Sequence, residues 1–242
     1  MGGSGSAFPR TQYSILVATK STDATVRGQA FDELIAVYWK PVYKYIRMKW
    51  QVSNEDAKDL TQEFFAVAFE KDFFESYDAK RSRFRTFLRT CVDGLVANAR
   101  KASARIKRGG QTQMLSLDFE AAENELSRIQ VADKHDLDEL FDREWVRSVF
   151  SLAVDDLREQ CSASGKLKHF ALFERYDLEA GNPASYAELA EEFQLPVTQV
   201  TNYLAFARSE FRRHVLSRLR RITGSDAEFR SEARRLLGVN PR

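Results

Sequence analysis

The sequence predicts an all-α chain of two small helical domains joined by an acidic linker, on three observations. Apolar residues recur at three- and four-residue spacing along most of the chain, and no stretch alternates with the two-residue period of a strand. Residues 185–213 also read as two short amphipathic helices joined by a tight turn. With 242 residues, 43% of them hydrophobic and 30% charged, the chain is long enough to bury two cores. The predicted boundaries are a flexible leader at 1–7, a helical domain at 8–110, the linker at 111–141, a second helical domain at 142–222, and a short helix with a tail at 223–242.

The elements follow in order. Met-Gly-Gly-Ser-Gly-Ser at 1–6 carries no periodicity and is left out of the fold. Phe31, Leu34, Ile35, Tyr38, Val42, Tyr45 and Ile46 mark one helix face, with Pro41 expected to kink or break it. A second helix begins at Ser53 or Asn54 as its cap and carries Leu60, Phe64, Val67 and Ala68. After a polar loop at 78–82, Phe84, Phe87, Leu88, Cys91, Leu95 and Val96 set a third helix that runs to about Arg105, with Gly109 and Gly110 as its stop. Residues 111–140 show no sustained period. Trp145, Val149, Leu152, Ala153 and Leu157, then Phe170, Leu172 and Phe173, open the second domain, and Gly181, Asn182 and Pro183 interrupt it. A short helix from Ala227 to Leu237 closes the chain ahead of Gly238 and Pro241.

The paired helices at 185–213 carry the sharpest chemical signal. Ser185 followed three residues later by Glu188 is a capping box, and Tyr186, Leu189, Ala190 and Phe193 form the stripe of the first helix. Leu195-Pro196 restarts the chain, since proline is tolerated at a first helical turn. In the second helix Val200, Leu204, Ala207 and Phe211 share the inner face, leaving Thr198, Gln199, Thr201, Asn202, Ala205 and Arg208 outside. Amides, hydroxyls, a small residue for close approach and an arginine are what reading base edges in a major groove requires. The competing reading is a helical hairpin whose polar face is merely solvated.

Composition excludes several classes. No apolar run reaches the roughly 20 residues that span a bilayer, so a soluble, cytoplasmic protein without membrane contact is expected. Cys91 and Cys161 sit inside helical patterns, and His135, His169 and His214 are scattered singly, so neither a disulfide framework nor a metal site is indicated. No nucleophile, base and oxyanion site assembles into an enzyme, and no cofactor is implied. The net charge of +2 hides segregation. Residues 78–108 hold ten bases against Asp78 and Asp93, whereas residues 118–142 hold nine acids against Arg128 and Lys134. A basic block of this kind suits a polyanion.

The run Asp56-Ala57-Lys58-Asp59-Leu60-Thr61-Gln62-Glu63-Phe64-Phe65 stands ahead of Arg83-Phe84-Arg85-Thr86-Phe87-Leu88, a basic helix end, an acidic linker and a helix-turn-helix. In that order these resemble a bacterial RNA polymerase sigma factor of the extracytoplasmic-function type, over about residues 8–237. Residues 8–14, Asp59 to Phe65, and Ser116-Leu117-Asp118 further resemble a subgroup associated with serine/threonine kinases.

The resemblance implies core RNA polymerase and promoter DNA, duplex and melted, as partners of a factor that is a monomer when bound. It assigns Asp56, Asp59, Gln62 and Glu63 to the polymerase clamp. Asp56, Asp59 and Glu63 also share one helical stripe by spacing. The loop and helix carrying Lys80, Arg81, Ser82, Arg83, Arg85, Arg89, Asn98, Arg100 and Lys101 are assigned to the minus-ten element. Phosphate neutralisation is what holding a single strand demands. Thr198, Gln199, Thr201, Asn202, Arg208 and Arg212 are assigned to the minus-thirty-five element, with Arg213 on phosphates as well. Thr61 is a candidate target of a kinase partner, whose phosphate adds about −1.5 to −2 charges, against the competing reading of a helical threonine that only packs. The chain departs from the family at Lys58, usually acidic, at Phe87, commonly tryptophan, at Gly94, often asparagine, and at Gln194, frequently glycine. Two other classes compete: a helix-turn-helix regulator that binds operators without polymerase, and a helical adaptor with no role on DNA.

Overall fold

A single buried-face turn, α1 (Ile15–Ala18), leads into α2 (Ala24–Trp50) and α3 (Asn54–Glu70). A 3₁₀ turn (Phe73–Ser76) precedes α4 (Phe84–Ser103), followed by α5 (Phe119–Leu126) and α6 (Lys134–Ala163). Next come α7 (Leu167–Phe173), running on into a π-helical turn (Glu174–Leu178), then α8 (Tyr186–Glu192), α9 (Val197–Ile222) and α10 (Asp226–Leu237). The computed structural model describes residues 15–70, 73–103, 117–126, 134–179, 181 and 184–241, and among these there is no strand. The expected leader, the 8–14 motif, Arg105, Lys107, Arg108, the stop at Gly109 and Gly110, Ser116, Asn182 and Pro183 lie outside the described residues. Among the described residues no helix is long and apolar enough to cross a membrane.

The chain divides into two units, residues 1–148 with 220–232 and residues 149–219 with 233–242. In the first, Asp23 starts the organising helix: its carboxylate accepts from the N–H groups of Thr25 (2.8 Å) and Val26 (3.2 Å), two donors that a helix start leaves free. Pro41, expected to kink or break the helix, lies buried within a continuous α2. Its missing N–H removes one intrahelical hydrogen bond, and the buried face of Val37, Tyr38, Val42, Tyr45 and Ile46 holds the helix together through packing. That face meets α3, α4 and α5. Phe84 sits at the centre with no exposure, its ring against Tyr38 (5.6 Å), Phe74 (5.4 Å) and Tyr77 (5.2 Å). The phenylalanine signal of the third helix is therefore core packing.

Part of the segment read as a linker without period is helical. Two turns show only Phe119, Ala122 and Leu126 to the core, too few for a period to register, and α5 is held instead by what it docks on. Phe119 packs on Trp39 (5.4 Å) and Tyr43 (5.1 Å), Glu123 pairs with Arg47, and Glu125 bridges Lys40 (2.8 Å) and Lys44 (2.6 Å). The start of α6 behaves likewise, since Leu140, Phe141 and Trp145 are buried in the first unit. The second unit begins within α6, at Val149.

In the second unit, Leu172, Leu189, Val200 and Leu204 form one cluster beneath α8 and the first turns of α9, while Leu157, Cys161, Phe170, Phe173 and Ala207 form another. His169 stacks flat on Tyr203 at 3.7 Å, which fixes α7 against α9. The capping box at Ser185 is complete, with Glu188 N–H donating to the Ser185 hydroxyl and Ser185 N–H to the Glu188 carboxylate (2.6 Å).

Candidate functional site

The turn between α8 and α9 sets what α9 presents. Gln194 adopts the left-handed region at φ 53°, and the N–H of Leu195 reaches back to the carbonyl of Ala190 at 2.9 Å. The chain thus keeps a glycine-like geometry at a residue that bears a side chain. From there Val200, Leu204 and Ala207 point inward with no exposure, and Thr198, Gln199, Thr201 and Asn202 are all exposed. Thr201 donates its hydroxyl to the Val197 carbonyl (3.1 Å), so its methyl and the accepting side of its oxygen remain for an outside partner. Arg212 is exposed about three turns further on.

Arg208, assigned with them, faces a different task. Its guanidinium donates to both oxygens of Asp177 (2.9 and 3.0 Å) and to the Tyr186 hydroxyl (3.3 Å), over the ring of Tyr176. The hydrogen bond it donates to Asp177 raises its pKa most, against the opposing effect of burial. It ties the π-helical turn and α8 to α9. Arg213 pairs with Glu210, and Arg218 grips Asp156 through two bonds (2.7 and 2.6 Å). Arg220 and Arg221 pair with Asp226 and Glu33. Arg213 and Arg220 stay exposed while making these pairs, and Arg218 is half-buried.

The basic helix α4 is divided along its length. Lys80 and Arg81 are exposed on the loop before it, Arg81 with 87% of its side chain in solvent and only a 3.5 Å approach to Asp78. Ser82 is half-buried, its carbonyl accepting from the Tyr77 hydroxyl at 3.2 Å. Asn98, Arg100 and Lys101 are exposed near the other end, where Arg100 lies over the ring of Trp50 and donates to its carbonyl.

Between those ends the arginines turn inward. Arg85 keeps 4% of its side chain exposed, donates to Asp142 (2.8 Å) and Glu232 (2.7 Å), and lies over Trp145. Burial works against its charge, yet the pull of Glu232 and the bond to Asp142 outweigh it and its pKa is raised. Arg89 pairs with Asp138 at 2.9 Å. Arg83 is half in solvent and reaches Glu232 at 3.0 Å. Arg85 and Arg89, expected on the minus-ten strand, are thus internal ion-pair partners. The spacing carried a signal for this: Arg85 and Arg89 stand four apart, as do Asp138 and Asp142, and the pairs cross in antiparallel register.

On α3, Ser53 is the cap, its hydroxyl accepting from Asp56 N–H (3.1 Å) and donating to the Asp56 carboxylate (2.7 Å). Lys58 is neutralised by Glu55 at 2.9 Å. Asp59 and Glu63 remain exposed one turn apart, with Gln62 half-buried beside them, and neither acid makes an ion pair among the described residues. Thr61 points the other way: it has no exposure and its hydroxyl donates to the Ala57 carbonyl at 2.7 Å.

An acidic helix face, a cationic loop and a helix-turn-helix with an open polar face thus stand together on the described helices of one chain. The sequence pattern of ECF sigma factors matches residues 13–217, and the chain belongs to that family. Nothing among curated proteins or solved structures matches it. Family membership makes core RNA polymerase and promoter DNA its partners, and transcription initiation its task.

Proposed function

We propose that the protein directs core RNA polymerase to promoters through three separate surfaces. Asp59 and Glu63, flanked by Gln62 and Asp56, form the clamp-docking face. Lys80, Arg81 and Ser82, with Asn98, Arg100 and Lys101, contact the opened minus-ten element. Thr198, Gln199, Thr201 and Asn202 read the minus-thirty-five element, with Arg212 on phosphates. The reading assigns residues 8–110 to the melting domain, 111–141 to the connection, 142–222 to the helix-turn-helix domain, and one copy of the chain to each polymerase. Its main support is the row of exposed amides and hydroxyls on the first turns of α9, all four presented by a helix whose inner face is fully buried.

A reconstituted transcription assay tests this. With core enzyme the wild type is expected to initiate at a defined start site, and Asp59→Lys with Glu63→Lys to lose association with core while melting at the wild-type temperature. Tight, sequence-specific binding of promoter duplex by the free protein would support the polymerase-independent regulator instead.

The kinase-linked subgroup, and a kinase acting on Thr61, are finer readings of the same resemblance. Here the hydroxyl is sealed beneath α3, so modification requires the turns around residues 57–65 to open first. A phosphate cannot return to that site without desolvating its charge. Kinase treatment followed by mass spectrometry is expected to label Thr61 only in protein whose α3 amides exchange freely with solvent.

A further inference from the structure

The loop at 77–83 is covered by the end of the chain. Residues 220–232 belong to the first unit, and their attachment is built in detail. Gly224 lies so close to Tyr77 that a Cβ placed there would stand 2.4 Å from the Tyr77 hydroxyl oxygen and 2.6 Å from its ring. Glu228 accepts from the N–H of Gly224 (2.9 Å) and from the N–H of Phe84 (3.3 Å), the first residue of α4. Glu232, with no exposure, draws Arg83 (3.0 Å) and Arg85 (2.7 Å). Phe229 is buried, and Arg221 pairs with Glu33 on α2.

Two carboxylates thus sit where the loop would take phosphate oxygens. One caps the positive end of a 20-residue helix, and the other neutralises the arginine that leads into it. We propose that the segment from Gly224 to Glu232 is a built-in acidic plug, which masks the strand-capture loop in the free protein and is displaced when single-stranded DNA binds. This rests on the assignment of the loop to the minus-ten strand. Displacement frees Arg83 and the N–H of Phe84 for phosphates, while Arg85 stays held by Asp142 and Trp145. A binding-competent loop populated as a minor fraction weakens apparent affinity by that fraction, so loosening the plug strengthens binding.

The test uses the full chain, a fluorescent oligo(dT) strand and a salt series, with and without core polymerase. Gly224→Val drives a side chain into Tyr77 without changing any charge, and is expected to bind the strand about tenfold more tightly than wild type. Hydrogen exchange on the wild type reads the same event without a variant: amides of residues 226–232 are expected to lose protection when oligo(dT) is added. Equal affinity of Gly224→Val and wild type, with residues 226–232 still protected in the complex, overturns the plug. Arg81→Ala separates the two failures. If it weakens strand binding while Gly224→Val changes nothing, the loop assignment stands and the plug alone falls; if it has no effect in either background, the loop assignment falls and takes the plug with it.

Discussion

The middle of α4 and the first turns of α9 make opposite use of similar sequence. Both are amphipathic helices rich in polar groups on the face away from the apolar stripe. On α4 that face closes on carboxylates supplied from far along the chain, Asp138, Asp142 and Glu232. On α9 the outer face of Thr198, Gln199, Thr201 and Asn202 meets no charged partner among the described residues. Charge density alone does not mark a DNA contact. A cation on a helix is free for phosphate only if the fold has not already matched it with an acid.

The sharpest way to break this contrast is Arg85→Ala. It takes one of two arginines from the fully buried Glu232 and the buried partner from Asp142, and removing one partner of a buried pair costs up to about 3–5 kcal/mol, so a fall in the urea midpoint is expected. A loss confined to DNA binding, at unchanged stability, would return Arg85 to the DNA surface. Thr61→Glu is expected to cost about 3 kcal/mol, because it buries a carboxylate with no cation on hand, and to lower polymerase association only in proportion to the unfolded fraction. Activation by the same substitution in a fully folded protein would show that α3 opens readily.

A smaller effect is expected at α5. Glu123 sits below its ordinary value of 4.5, chiefly because Arg47 donates to it and in spite of burial. A carboxylate with a depressed folded pKa contributes stability that is whole above 4.5 and is lost as pH falls through the lower folded value. Amides of α5 are therefore expected to gain exchange selectively in mildly acidic buffer below that point, for a loss of about 1 kcal/mol given the pair's partial exposure. Smallest of all is Gln194→Gly, which relieves a left-handed residue at φ 53° and should raise stability by about 0.5 kcal/mol after the entropy glycine adds to the unfolded chain.

How much of this the sequence disclosed follows from the range of the forces involved. Local signals were legible: the Ser185 capping box, the Pro196 restart, the inward set Val200, Leu204 and Ala207, and the all-α class itself all depend on neighbours within one turn. Pro41 does not end α2, because packing along the helix outweighs one missing hydrogen bond. The helix α5 was hidden, and the pairing of Arg85 was signalled only by the matching four-residue spacings, since their partners lie 57 or more residues away and only tertiary structure chooses among many acids. Arg208 reads as a base contact by position on the helix, and only the π-helical turn that brings Asp177 beside it reveals its positioning role. Asp23 was the missed cap, though the run Ser21-Thr22-Asp23 ahead of an apolar period carried the signal.

The most direct test of the account is a base-by-base binding series with holoenzyme, in which each position of the minus-thirty-five element is varied against wild type, Gln199→Ala and Asn202→Ala. The account predicts that each variant melts as the wild type does and loses about 1–3 kcal/mol of discrimination at one or two adjacent base pairs, with the salt slope unchanged. A uniform loss across all sequences, or no loss at any, would contradict the claim that the outer face of α9 reads bases.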